Sequence, residues 1–544
     1  MKYKFFFGFI VVTLLGSTAF SQLQPPAATK KAKVYQEHGS QRVDDYHWMN
    51  TPDSATVAYL NAENDYLQSY LKPTEDLQKK LYDEIVSRIE QKDESLPTKS
   101  NGYWYYNRFE EGAQYPKYFR RKGSMTAPEE ILLDLPAMAK GYQIYLLRGS
   151  KVSPDNKLVA YLIDTTGGRR STLFIKNLET GELLKDVIYP VTGSLAWGND
   201  NKTLFYNIPD KTVRSYKVMK HTLGTDPIKD EEVYTENDNT FTVYVSPSLD
   251  NKYIFIFSNS TEATEARYID ASNTTKPPTL LQPRSRGLLY YPAYYGGDVF
   301  YIRTNKDAKN FKLASAPISN PGIENWKDVV PHKKDEYFQG YYVLKNFLVT
   351  QTKKNGLNQI SYTDWRTNNS FNIAFGEDAY VASMYLPTDE LSSDSIRFFY
   401  SSLTTPSSEF GYNLTSQKKN LLKKQQVGGG YTSGLYETKR IWTKATDGTM
   451  IPSTIVYRRD RMKKDGSNPM LLYAYGSYGA NSEPYFNSSI ISLLDRGFIY
   501  GIAHIRGGQE LGREWYEAGR QLNKKNTFTD FIDVAQYLVN EKYT

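Results

Sequence analysis

The chain has 544 residues, too long for a single compact core, and its 40% hydrophobic and 23% charged residues are typical of a soluble globular protein with two or more domains. The net charge of +7 is the balance of 67 basic and 60 acidic residues interleaved along the chain, which indicates a solvated surface rather than the alternative, a nucleic-acid-binding one. Cysteine is absent, which excludes disulfides and thiolate chemistry, and the five histidines lack metal-ligand spacing, so we expect no metal or cofactor.

The N-terminus has the pattern of a secretory signal peptide. Two lysines precede an apolar run over residues 5–15, and the small residues Ala19 and Ser21 occupy the positions that a signal peptidase requires. The run is too short for a membrane span of roughly 20 residues, and an uncleaved anchor is the alternative. We therefore predict a signal peptide over residues 1–21 and a periplasmic or secreted mature protein without stable membrane association.

The next region, residues 22–94, starts with a Pro-Pro pair and then takes on a helical pattern. Its apolar residues recur at intervals close to one or two helical turns. They are Leu60, Leu67, Leu71, Leu77, Leu81, Ile85 and Ile89. This spacing predicts a helical N-terminal segment.

A repeated turn-and-strand pattern follows over residues 95–428. Seven turn dipeptides stand 45 to 54 residues apart, and alternating aromatic or β-branched strands follow them. The turns are Asn101-Gly102, Asp155-Asn156, Asp200-Asn201, Asp250-Asn251, Gly296-Gly297, Lys345-Asn346 and Ser393-Asp394. Because this period is typical of propeller blades, we predict a seven-bladed β-propeller, with an array of β-sandwiches as the alternative.

The pattern changes again from residue 429. Apolar strands are predicted over residues 451–457, 470–475 and 498–505, because continuous apolar runs are typical of a parallel sheet that is buried on both faces. One helix is predicted near Ile490, and a second begins near Thr527, whose hydroxyl is expected to cap it. The expected buried stripe of this second helix is Phe528, Phe531, Ile532, Ala535, Leu538 and Val539. Alternating strands and helices predict an α/β domain that has only begun when the chain ends.

Four segments carry a resemblance to a known family. Residues 469–479 read PMLLYAYGSYG, residues 493–519 read LLDRGFIYGIAHIRGGQELGREWYEAG, residues 524–533 read KKNTFTDFID, and residues 38–49 read HGSQRVDDYHWM. Together they resemble the prolyl oligopeptidase family of serine peptidases. The sequence Tyr-Gly-Ser-Tyr-Gly is most similar to the oligopeptidase B (protease II) branch, because proline-specific relatives have a Gly-Gly-aromatic sequence there.

The resemblance implies a fold and an activity. The fold is a seven-bladed β-propeller (residues 95–428) plus an α/β-hydrolase domain (residues 429–544), on which the N-terminal segment 22–94 packs. The activity is hydrolysis of short peptides by a Ser-Asp-His triad. The sequence contains no Gly-x-Ser-x-Gly motif. The resemblance places the triad beyond Thr544, so we expect a hydrolase domain truncated before the nucleophile, an inactive chain, and a full-length protein that is monomeric.

Three residues are the candidate site residues. By the resemblance, the Tyr475 hydroxyl is a donor of the oxyanion hole. Glu483 stands where oligopeptidase B relatives place acids that attract basic substrate side chains, although the second acid is replaced by Tyr485. Arg506 opens a loop after a parallel strand, where α/β sheets bind ligands, and is predicted to contact the substrate. His504 is expected to be structural.

The sequence therefore predicts a serine oligopeptidase that cleaves after Arg or Lys. Cleavage after proline, or removal of dipeptides, is the enzymatic alternative. The non-enzymatic alternative is a propeller that acts as a binding module, because the chain as it stands carries no nucleophile.

Overall fold

The computed structural model describes residues 24–544, and residues 1–23, with the predicted signal peptide, lie outside the described residues. The described residues divide into two compact units, the first ending at residue 86 and the second spanning residues 87–544. Within residues 24–544, no helix is long and apolar enough to cross a membrane. The same residues contain no group of three or more histidine or acidic side chains that could hold a metal ion.

The first unit contains a hairpin and two helices. They are β1 (Lys33–Glu37), β2 (Ser40–Asp44), α1 (Ser54–Leu71) and α2 (Glu75–Ser87), the last ending at the boundary of the unit. The Asp53 carboxylate caps α1 by accepting a hydrogen bond from the Thr56 amide at 2.9 Å. Pro73, which has no N–H to donate, follows the end of α1. The predicted helical spacing corresponds to these two helices, yet Leu60 and Leu67 lie exposed.

The second unit begins with six antiparallel sheets that form seven propeller blades, because one seven-stranded sheet contains two blades. The first blade contains β3 (Asp93–Glu94), β4 (Thr98–Ser100), β5 (Tyr103–Phe109), β6 (Lys117–Lys122) and β7 (Glu129–Asp134), and the short helix α3 (Leu135–Met138) follows it. The second and third blades share one long strand and contain β8 (Leu146–Val152), β9 (Leu158–Asp164), β10 (Ser171–Asn177), β11 (Ile188–Trp197), β12 (Thr203–Pro209), β13 (Ser215–Thr222) and β14 (Glu231–Thr235).

The remaining four blades have four strands each. The fourth and fifth contain β15 (Thr242–Pro247), β16 (Tyr253–Asn259), β17 (Thr264–Asp270), β18 (Thr279–Gln282), β19 (Tyr290–Ala293), β20 (Val299–Thr304), β21 (Lys312–Pro317) and β22 (Lys327–Val330). The sixth and seventh contain β23 (Glu336–Val343), β24 (Phe347–Lys354), β25 (Leu357–Asp364), β26 (Asn369–Ile373), β27 (Val381–Tyr385), β28 (Ser395–Ser401), β29 (Ser408–Asn413) and β30 (Lys419–Lys424).

The predicted turns mark the blades. Six stand at the start of the second strand of a blade and Asn101-Gly102 stands before β5, the third strand of the first blade along the chain, and the asparagines of four of the turns adopt a left-handed backbone. These are Asn101, Asn156, Asn201 and Asn251, with φ between 46° and 63°. Asparagine tolerates this conformation better than other residues with a side chain. Because each of these blades needs the same turn at the same place, asparagine recurs with the period of the blades. The prediction of a seven-bladed propeller is confirmed.

The propeller core lies between neighbouring blades. Phe255 and Tyr253 of the fourth blade pack on Phe300 of the fifth, with ring centroids 5.6 and 5.5 Å apart. The last blade contacts the first through a parallel bridge between Lys99 and Thr388. Sheets that stack face to face in this way bury both faces of their central strands.

The remainder of the second unit forms a four-stranded mixed sheet and three helices, in the sheet order β31-β32-β34-β33. The elements are β31 (Tyr436–Lys444), β32 (Met450–Arg458), β33 (Met470–Tyr473), α4 (Ile491–Leu494), β34 (Ile499–Ala503), α5 (Arg513–Glu517) and α6 (Lys525–Asn540). Single-turn 3₁₀ helices elsewhere are His47–Asn50, Lys72–Thr74, Pro227–Lys229, Ile323–Asn325, Ser433–Leu435, Arg459–Arg461, Ser488–Ile490 and Gln521–Asn523.

Three expectations for this α/β region were wrong in detail. Only β33 and β34 run parallel, whereas β32 is antiparallel to β34. Helix α6 begins at Lys525 without a side-chain cap, so Thr527 lies inside the helix rather than at its cap. Its buried face contains Thr527 and Asp530 with Val534 and Leu538, whereas Phe528, Ile532 and Val539 of the expected stripe are exposed. Polar residues occupy the buried face because they bind the loops beneath it.

Candidate active site

The two parallel strands end beside each other, and the loops that follow them form the candidate site. The loop over residues 474–480 follows β33, and the loop over residues 504–510 follows β34. The carboxyl ends of parallel strands meet at one edge of a sheet, which is where open α/β sheets bind ligands.

Tyr475 lies in the first loop with its side chain half exposed. Within the described part of the chain, its hydroxyl has no hydrogen-bond partner and is free to donate. The backbone around it is left-handed at Gly476 (φ 64°), Tyr478 (φ 55°) and Gly479 (φ 68°). A Cβ at Gly476 would lie 2.5 Å from a methyl group of Thr527, so only glycine fits.

The start of α6 holds this loop from below. The Lys524 ammonium donates to the Gly476 carbonyl and, at 2.6 Å, to the Ser477 hydroxyl. The Thr527 hydroxyl donates to the Arg506 carbonyl at 2.8 Å. Helix α6 therefore connects the two loops of the site.

Arg506 is buried and bound to carboxylates of the protein itself. Its guanidinium makes a bidentate pair with Asp530 of α6 and a second pair with Asp447 at 2.7 Å. The hydrogen bonds to Asp530 raise the pKa of Arg506 above its ordinary value. Because its donors are engaged, the structure does not support the predicted substrate contact and makes Arg506 the anchor of α6 to the second loop.

Glu483 also differs from its predicted role. Its carboxylate forms an ion pair with Lys353, which lies on β24 of the sixth blade and is fully buried, and accepts a hydrogen bond from Asn481 at 3.1 Å. This carboxylate is bound to a propeller lysine and is not free for a basic substrate side chain. Tyr485 packs on Phe399 of the seventh blade at 5.9 Å between ring centroids.

Two further titratable groups are buried beside this pair. Glu510 accepts a hydrogen bond from the Ser482 amide at 2.8 Å, and burial raises the pKa of its carboxyl to about 7. Burial, together with the charges of Arg440 and Lys353, lowers the pKa of His504 to about 3. The neutral imidazole is 2.8 Å from the Thr454 hydroxyl, in accord with a structural role.

Gln509 lies in the second loop, directly after Gly507 and Gly508. Its backbone is not left-handed, so the side chain introduces no strain there. The side-chain amide donates to the Gly479 carbonyl at 2.9 Å, and the Gly479 amide donates to the Gly507 carbonyl at 2.9 Å. Gln509 thus ties the two loops together.

Sequence reasoning missed Lys353, Lys524 and Asp530. The position of Asp530, an acidic residue within the apolar stripe of α6, was the one local signal that this side chain has a buried partner. Lys353 gave no such signal, because 130 residues separate it from Glu483 and only the folded chain brings them together.

Comparison with known proteins agrees with this architecture. Residues 25–425 match the prolyl oligopeptidase N-terminal β-propeller domain, and residues 484–544 match the prolyl oligopeptidase family. Dipeptidyl aminopeptidase BI of Pseudoxanthomonas mexicana is 40% identical over 557 residues, which cover 98% of this chain and 76% of the relative. Protease 2 of Moraxella lacunata is 32% identical over 529 residues, which cover 95% and 75%.

Solved structures are similar over the same extent. Oligopeptidase B from Leishmania major superimposes with a TM-score of 0.90 at 31% identity, and covers 96% of this chain and 77% of its own. Oligopeptidase B from Trypanosoma brucei has a TM-score of 0.89 at 30% identity with the same coverage. The chain thus spans about three quarters of the length of these relatives. From its propeller, its α/β sheet and these matches, the chain belongs to the prolyl oligopeptidase family of serine peptidases.

Proposed function

We propose that the protein is a serine peptidase of short peptides in which Tyr475 is one donor of the oxyanion hole. The observation that carries the proposal is a half-exposed tyrosine whose hydroxyl has no hydrogen-bond partner within the described residues and which lies at the carboxyl ends of two parallel strands. The serine, aspartate and histidine of the triad belong, in this proposal, to sequence beyond Thr544, and the 544-residue chain is inactive by itself. The full-length enzyme acts as a monomer.

In the proposed reaction the serine attacks the scissile carbonyl while the histidine accepts its proton and the aspartate orients the imidazole. The negative charge that develops on the carbonyl oxygen is stabilised by the Tyr475 hydroxyl and a backbone N–H. Losing one such donor costs roughly 3 kcal/mol in the transition state.

For specificity we propose cleavage after Arg or Lys, supported by the similarity to protease 2 and to two oligopeptidase B structures. Glu483 lends no support, since Lys353 neutralises it. Removal of N-terminal dipeptides is a second candidate, because the dipeptidyl aminopeptidase is 40% identical to the chain.

Three fluorogenic substrates separate these candidates on the full-length protein. An N-blocked peptide ending in Arg tests endopeptidase activity, the same peptide with a free dipeptide N-terminus tests dipeptide removal, and a blocked peptide ending in Pro tests the remaining alternative. We expect turnover of the blocked Arg peptide, with kcat roughly 100- to 1,000-fold lower in Tyr475→Phe. Turnover of only the unblocked peptide would establish the second candidate, and preference for the Pro peptide would overturn both.

A further inference from the structure

The ammonium group of Lys524 is bound to the Tyr475 loop and to no acid. It donates to the Gly476 carbonyl and the Ser477 hydroxyl, and no carboxylate within residues 24–544 pairs with it. Burial lowers the pKa of Lys524 below its ordinary value, so holding the charge there is unfavourable. Lys524 therefore stabilises the Tyr475 loop by hydrogen bonds and does not form a salt bridge within the described residues.

The loop is also held from its other side. A Cβ at Gly507 would collide with the Gly476 carbonyl, so the two loops touch at their backbones. Gln509 donates to the Gly479 carbonyl at 2.9 Å. Lys524 donates to both residues that directly follow Tyr475, Gly476 and Ser477, and the Thr527 hydroxyl adds a longer hydrogen bond of 3.4 Å to the Gly476 carbonyl.

Within the described residues, Tyr475 has no hydrogen bond that would orient its hydroxyl, so the direction of the hydroxyl is set by the backbone that carries it. That backbone continues into a glycine, the residue with the widest conformational freedom. We propose that Lys524 is a positioning residue that fixes the Tyr475 hydroxyl where the oxyanion forms. This inference rests on the proposed function of Tyr475. An oxyanion donor must lie about 2.7–3.1 Å from the oxyanion, so loss of the clamp lowers kcat with little effect on KM.

The first test is a kinetic comparison of neighbouring lysines in the full-length enzyme. Lys524→Met removes the clamp, whereas Lys525→Met removes the same charge one residue away, from an exposed side chain. We expect kcat to fall roughly 10- to 100-fold in K524M with KM within about twofold, and no change in K525M. Ser477→Ala, which removes one acceptor only, should lower kcat by a smaller factor.

A double-mutant cycle with Tyr475→Phe separates positioning from general damage. If Lys524 acts through Tyr475, K524M has no further effect on kcat once the hydroxyl is gone. Full additivity of the two substitutions would overturn the positioning role and leave the proposed function intact. A wild-type kcat in Y475F would overturn the oxyanion role of Tyr475, and the inference with it.

A second readout needs no activity. Amide hydrogen exchange on residues 476–479 should accelerate in K524M and stay unchanged in K525M, in variants that keep the wild-type melting temperature. Equal protection of residues 476–479 in K524M and K525M would overturn the proposal that Lys524 holds this loop in place. Because exchange is measured on the loop itself, this outcome is independent of the identity of the substrate.

Discussion

The carboxyl group of Glu510 is buried with only part of its hydrogen-bonding capacity used. One oxygen accepts the Ser482 amide, and the other has no partner within the described residues. Burial raises the pKa of this carboxyl from 4.5 to about 7, since an ionised oxygen without a donor is costly. Lys353 lies near enough to oppose part of this shift.

This carboxyl makes stability depend on pH. Between pH 4.5 and about 7 the folded protein holds a proton on Glu510 that the unfolded chain has lost. The free energy of unfolding therefore falls as the pH rises through this window, by roughly 3 kcal/mol in all, and no further above it. We predict that Glu510→Gln removes this loss. In denaturant titrations, the free energy of unfolding of the variant should therefore rise relative to that of the wild type between pH 4.5 and 8.

His504 changes the free energy of unfolding with pH in the opposite direction, so the effect of Glu510 is measured as a difference between variants. Its pKa of about 3 means that the unfolded chain binds the extra proton below pH 6.5, which lowers stability as the pH falls. Glu514→Gln is the control, since this carboxylate is largely exposed. Parallel pH curves for E510Q and the wild type would contradict the prediction.

At the scale of elements, the ion pair between Lys353 and Glu483 connects β24 of the propeller to the loop region after β33. The side chains are 0% and 13% exposed. Removing one partner of such a buried pair leaves the other charge without compensation, at a cost of about 3–5 kcal/mol. We predict a loss of this size for Glu483→Gln, measured by denaturant unfolding.

The control is Asp335→Asn, which breaks an exposed pair with the neighbouring Lys354. Such a pair is worth about 0–1 kcal/mol, so little change is expected. If E483Q instead left stability unchanged and raised KM for substrates with a second basic residue, the role in substrate binding first predicted for Glu483 would be restored.

At the scale of the whole molecule, the chain exposes apolar side chains on the edge strand β33 and, separately, on helix α6. Leu471 and Tyr473 of β33, and Phe528 and Ile532 of α6, are each about half exposed or more. An edge strand flanked by apolar side chains pairs readily with other chains. We therefore predict concentration-dependent self-association of this chain in sedimentation experiments.

Ile532→Lys should reduce this association, because it places a charge on the apolar surface of α6 at a side chain that is already 62% exposed. Ile228→Lys adds the same charge to an exposed site on the propeller and should leave association unchanged. A monomer at all concentrations, or an equal effect of both substitutions, would contradict the prediction.

The propeller could be predicted because its signal is local and repeated. Asn101, Asn156, Asn201 and Asn251 each favour a left-handed turn wherever they stand, and their regular spacing reveals the blades without knowledge of any contact. Helix α6 was harder to predict. Its exposed Phe528 and buried Asp530 invert the usual rule, because Asp530 pairs with Arg506.

By itself, the sequence determined the order of the blades and three of the four strands of the α/β sheet, β32, β33 and β34, since each follows from local conformational preference or a contiguous motif. Only the tertiary structure decided the partners of the charged site residues. Arg506 is bound by Asp530, and Glu483 by Lys353 from another domain. A charge has no intrinsic preference among the many opposite charges of the chain, so its partner is chosen by packing that brings distant residues together and excludes water.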